Sequence, residues 1–88
     1  MIDTIQDKLK AAFCPTHLAV FDDSHKHAGH AEAKAHGGSH IRIEVTSDKF
    51  SGLGGLARHR LVYALFAEEM AAKKIHALQM TLLAPGEK

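Results

Sequence analysis

His40-Ile41-Arg42-Ile43-Glu44-Val45-Thr46 alternates apolar and polar side chains at every step. Successive residues of a strand point to opposite faces, so Ile41, Ile43 and Val45 share one face and Arg42, Glu44 and Thr46 the other. One face is dry and one is wet. A strand of this kind calls for a sheet covered on one side.

The flanking segments supply the cover. After a break at 47–55, holding Phe50 and Gly52-Leu53-Gly54-Gly55, a helix is predicted over 56–73. Leu61 and Leu65, with Val62, Phe66 and Met70, form adjoining apolar ridges, and Glu69 and Lys73 make an i,i+4 pair in the favourable order. Residues 75–83 read as a strand with Leu78, Met80 and Leu82 in phase, ended by Pro85-Gly86. Upstream, 23–38 is a polar, glycine-bearing loop, long for a connection in so small a chain. Residues 17–22 read as a strand. Residues 2–13 read as a helix, with Ile2, Ile5, Leu9 and Phe13 on one face and Pro15 as its stop. The order α-β-β-α-β implies a single α+β domain over residues 1–88, a three-stranded sheet backed by helices.

Composition narrows the function. An apolar fraction of 45% is ordinary for a globular chain, and a net charge of +1 carries no general basic signal for nucleic acid. One cysteine, Cys14, cannot form an internal disulfide, which fits a reducing compartment. No signal peptide and no spanning apolar run are recognisable, so a cytoplasmic protein without membrane contact is expected. Histidine is the exception: eight in 88 residues, six of them before residue 41.

Three constellations carry chemistry. Ser24-His25-Lys26-His27-Ala28-Gly29-His30 brings three imidazoles into one short stretch, and neutral imidazole suits Fe, Zn, Cu and Ni. The plain alternative is a solvated polar loop. The paired Cys or fixed Cys/His spacing of a structural zinc site is missing. His76, between the predicted helix and the last strand, reads on its own as a histidine near a helix C-terminus. Gly52 to Gly55 has the G-x-x-G form and leads into Arg58-His59-Arg60. A glycine turn before a helix exposes N–H groups to an anion, and cations there oppose the helix dipole. Arg58 and Arg60 therefore ask for a bound phosphate, a partner surface, or a carboxylate such as Asp48 or Glu68. Cys14 lacks an activating base and reads as inert packing. No nucleophile–base pair or paired-carboxylate pattern is recognisable, so no catalytic residues and no enzyme are expected.

Taken in order, several blocks resemble the BolA family: Ser24-His25-Lys26-His27-Ala28-Gly29, His40 opening a strand that closes Val45-Thr46-Ser47, Phe50-Ser51-Gly52, Arg58-His59-Arg60-Leu61-Val62-Tyr63, Glu68-Glu69 and Ile75-His76-Ala77-Leu78. The resemblance implies a fold like the class II KH domain. It also implies partnership with a monothiol glutaredoxin, the pair holding a [2Fe–2S] cluster between the glutaredoxin Cys and glutathione on one side and two residues of this chain on the other. One would be His76. The other, a Cys or a His of the loop between the first two strands, is matched best by His27 in the frame Ser24-x-x-His27, with His25 and His30 as possible substitutes. The cluster would be shared; the free chain is expected to be a monomer without one. The competing expectation is a nucleic-acid-binding regulator using Gly52, Gly55, Arg58 and Arg60 on the KH-like fold, its DNA binding weakened by the near-zero net charge.

Overall fold

The computed structural model describes residues 2–23 and 39–87. Its elements are α1 (Ile2–Phe13), β1 (His17–Asp22), β2 (Ser39–Thr46), a 3-10 turn (Asp48–Phe50), α2 (Gly55–Leu65), α3 (Ala67–Ala71) and β3 (Ile75–Leu83). The alternating stretch becomes the central strand of a sheet ordered β1-β2-β3. β1 runs antiparallel to β2, from His17 opposite Thr46 to Asp22 opposite Ile41. β3 runs parallel to β2, from Ser39 opposite Ile75 to Thr46 opposite Leu83. A parallel pair cannot be closed by a hairpin, and the 3-10 turn with α2 and α3 makes the crossover.

Ile41, Ile43 and Val45 are buried as the alternation requires. Ile5, Leu9 and Phe13 of α1, Val62 of α2, Phe50, Phe66, and Ile75, Leu78 and Leu82 of β3 complete the core. Each large side chain fully buried here contributes roughly 1.5–3 kcal/mol. Phe13 and Phe50 meet at 4.9 Å between ring centroids. Beside them the buried Ser47 hydroxyl donates to the Phe13 carbonyl at 2.6 Å and accepts from Lys49 N–H at 3.1 Å. One serine thus ties the end of α1 to the start of the crossover.

Four local expectations change. The helix expected over 56–73 is two helices, because Phe66 leaves helical geometry at φ −107°, ψ 19°. Hydrogen bonds from Phe66 N–H to Val62 O and from Met70 N–H to Phe66 O carry the chain through the bend, with the Phe66 ring at its buried inside. Leu61 is exposed, because Val62 and Phe66 take the inward positions of this stretch. Glu69 pairs with Lys8 of α1 at 2.5 Å, not with Lys73. Lys73 adopts φ +60° where α3 ends, which removes the i,i+4 geometry, and the Lys8 ammonium beside Glu69 holds its carboxyl below the usual range. Cys14 is exposed, not packed: it takes φ +45° as the residue that ends α1, its N–H returning to Lys10 O at 3.0 Å.

The C-terminal turn is held by one guanidinium. Arg58 reaches from α2 to Leu53 O at 2.9 Å, Leu82 O at 3.0 Å, and both carboxylate oxygens of Glu87 at 2.5 and 2.9 Å. Ala84 N–H donates to the same carboxylate at 3.0 Å. A fork with parallel donors matches a carboxylate in this way and a lysine could not.

Two outcomes follow. A non-glycine residue in the left-handed region costs roughly 1–2 kcal/mol, so Cys14→Gly should raise stability by about 1 kcal/mol, less glycine's own entropy cost. A urea-unfolding midpoint that rises with an unchanged slope is the readout. Arg58 depresses the Glu87 carboxyl from its ordinary 4.5 to about 2. A folded-state value below the unfolded one stabilises above the unfolded value and is lost as pH falls toward the folded value. The stability gap between wild type and Glu87→Gln should therefore be constant near neutrality and close between about pH 4.5 and about 2 in acid-unfolding curves.

Candidate metal-ligating site at one end of the sheet

His76 is the second residue of β3, and it stands where the β2–β3 register slips. Ser39 faces Ile75, but His40 faces Ala77, so His76 is the extra residue of a bulge. The bulge is visible in the burial. Ile75 and Leu78 are both in the core, three residues apart, which strict alternation forbids. The inserted residue resolves the conflict and turns the His76 side chain out to solvent, as bulges near sites commonly re-aim a residue.

The nearest imidazole among the described residues is His40, on the adjoining strand. The two ring centroids are 5.3 Å apart with planes inclined at 46°. The sequence places His40 in a family block without giving it a role; the bulge that brings its ring to His76 leaves no mark in composition or spacing. Both residues also take part in further interactions. Asp23, the last described residue before the histidine-rich stretch, donates its N–H to His40 O at 2.7 Å. The stretch at 24–38 therefore departs and returns at the end of the sheet that carries His76. His25, His27 and His30 lie outside the described residues.

Arg42 engages two carboxylates on this side of the sheet, and Asp22, opposite Ile41, takes part in an interaction of its own. The Arg42 guanidinium meets Asp23 Oδ2 at 3.1 Å and Glu44 Oε2 at 3.7 Å and lies over the Phe21 ring at 4.0 Å. Glu44 also meets His17 Nε2 at 3.2 Å. Among the described residues no group of three or more His, Cys, Asp or Glu could enclose a metal ion. The two imidazoles that meet at this end are held on paired strands, which suits an ion completed from elsewhere.

The glycine turn at the other candidate surface is open. Gly52 adopts φ +78°, which favours glycine, and a Cβ at Gly52 or Gly55 would meet nothing within 4 Å. Arg58 and Arg60 part ways. Arg58 turns inward to Glu87, so its carboxylate is neither Asp48 nor Glu68; the pairing spans 29 residues and has no local signature. Arg60 lines a shallow apolar cleft with Leu53, Leu56 and Leu61. No helix among the described residues is long and apolar enough to cross a membrane.

Comparison with known proteins agrees with this architecture. A family model described as BolA-like protein matches residues 9–87. An uncharacterised protein encoded in the cobS 5′ region of Sinorhizobium is 40% identical over 88 residues, covering 99% of this chain and 94% of that one. The DNA-binding transcriptional regulator BolA of Escherichia coli is 38% identical over 78 residues, covering 89% of this chain and 70% of the regulator. The solved BolA domain of SufE1 from Arabidopsis thaliana superposes with a TM-score of 0.83 at 32% identity, over 99% of this chain and 94% of that domain. The bulged last strand, the glycine turn and the arginine clamp are thus set in a BolA-like fold, and the chain belongs to the BolA family.

Proposed function

We propose that this protein is a non-enzymatic cytoplasmic partner of a monothiol glutaredoxin. In this reading the pair shares a [2Fe–2S] cluster in iron–sulfur trafficking or iron and redox regulation. The observation that carries the reading is His76: an exposed imidazole, fixed by a bulge in the sheet, at the end where residues 24–38 leave and rejoin it. His76 holds one ligand position. His27 best fits the second, with His25 and His30 as substitutes. His27 is four residues beyond Asp23, and an extended chain covers at most about 3.3–3.6 Å per residue, so it stays tethered to this end of the sheet. The cluster supplies a potential raised by imidazole in place of thiolate, which suits transfer or sensing. The free chain, a monomer in this reading, meets too few coordination positions to keep a cluster alone.

The test is anaerobic reconstitution with a monothiol glutaredoxin and glutathione, followed by visible absorption and circular dichroism. His76→Ala is expected to abolish the stable shared cluster, because it removes the ligand whose position the sheet fixes. His27→Ala is expected to leave a weaker, altered one in which His25 or His30 substitutes. A wild-type spectrum and yield from His76→Ala would overturn the assignment.

A second reading, nucleic-acid binding, rests on the open glycine turn, on His59 and Arg60 in a helix without acidic residues, and on the name of the Escherichia coli relative. The clamp on Arg58 argues against it, since one of the two arginines is already committed to Glu87. Arg60→Gln should leave any DNA affinity within about twofold. A salt slope lower by roughly 0.9 would instead reveal a phosphate contact.

A further inference from the structure

We infer that His40 and His76 together form a mononuclear transition-metal site that the free chain can use without any partner. The inference goes beyond the shared-cluster reading, which assigns His40 no role, although both readings use His76.

The spacing of the pair is the first argument. Imidazole nitrogens bind a borderline divalent ion at about 2.0–2.1 Å, and the ring centre lies a further ~1.1 Å out along the same line. Two such rings at a tetrahedral angle have centres about 5.2 Å apart, by that geometry. The observed separation is 5.3 Å, close to that tetrahedral value, and the roughly 4.5 Å of two cis rings on tetragonal Cu²⁺ is reached by rotating the side chains. Both residues are held by the sheet: His40 O accepts from Asp23 N–H, and His76 is locked by the bulge between buried Ile75 and the β2-paired Ala77. A pre-formed pair avoids the ordering cost that a pair of loop histidines would meet.

The second argument is donor type. Of the carboxylates near His40, Asp23 is engaged by Arg42, and Asp22, opposite Ile41, takes part in an interaction of its own. The only thiol, Cys14, follows α1, two residues before Thr16, whose N–H bonds Thr46 O at the far end of β2. Six residues of strand, at about 3.3 Å each, separate that end from His40. The site therefore offers nitrogen without thiolate, which selects Cu²⁺, Ni²⁺ or Zn²⁺ over Ca²⁺ or Mg²⁺. Each imidazole has two nitrogens, so one can bind the ion while the other keeps a hydrogen bond, as ligating imidazoles ordinarily do. The coordination positions left over belong to water.

The experiment uses Cu²⁺ alone and the full chain. His25, His27, His30 and His36 are first replaced by Ala, which removes the competing imidazoles of residues 24–38 and leaves His40 and His76 in place. Calorimetry in a non-chelating buffer gives the affinity, and electron paramagnetic resonance counts the imidazole nitrogens on copper. The expected result is one Cu²⁺ per chain with two imidazole nitrogens. His40→Gln or His76→Gln in that background should weaken binding by about tenfold or more and leave one nitrogen. A smaller loss from either replacement, or one nitrogen in the parent, overturns the proposal. Far-UV circular dichroism of each variant excludes unfolding as the cause. No iron and no glutaredoxin are present, so the outcome is independent of the shared cluster.

Discussion

The parallel pairing of β2 with β3 is the constraint on which this structure rests. It makes β2 a central strand, paired on both edges, and it forces the long crossover that becomes the helical cover. A slip of one residue would exchange the buried and solvated faces of a strand. At Ser39 and His40 the pairing contains such a slip by one residue, and the fold absorbs it as a bulge. Ile75 is thereby kept in the core while Leu78 and Leu82 follow the regular phase. The residue expelled by the adjustment is His76. The exposed imidazole is therefore a consequence of how the sheet begins, and its position is as firm as the sheet.

The two ends of the sheet are built differently. At the His76 end, imidazoles from adjacent strands meet, and Arg42 engages Asp23 and Glu44. At the other end a single guanidinium, Arg58, joins the glycine turn, the end of β3 and the C-terminal turn. A charged fork that satisfies two backbone carbonyls and a carboxylate is worth more than an isolated surface pair. Its cost is that Arg58 cannot also serve a phosphate. The turn keeps its open glycines, and Arg60 remains directed to the cleft beside it.

The sequence was legible where structure depends on neighbours along the chain. The alternation at 40–46, the apolar ridge of 2–13 and the phase of Leu78, Met80 and Leu82 each reported one element, and their order reported the layer architecture. What escaped depends on distant partners. Glu69 meets Lys8, 61 residues away, and Arg58 meets Glu87, 29 residues away. A local pattern offered Lys73, Asp48 and Glu68 in their place. The bend at Phe66 arises from packing around its buried ring, which helix periodicity does not encode. For the site, the blocks around His27 and His76 were readable only as a family resemblance. The approach of His40 required the register of the sheet.

The proposed function requires that histidines of this chain, His76 first among them, bond to iron in the shared complex. The most direct measurement is pulsed electron paramagnetic resonance of the reduced cluster, with the chain carrying ¹⁵N-labelled histidine and the glutaredoxin unlabelled. Imidazole bound directly to iron would give strong ¹⁵N couplings from two inequivalent nitrogens in the wild-type complex, and replacing His27, which leaves a weaker cluster, would alter only one of them. Absence of any strong ¹⁵N coupling in the wild-type complex would contradict the proposed function.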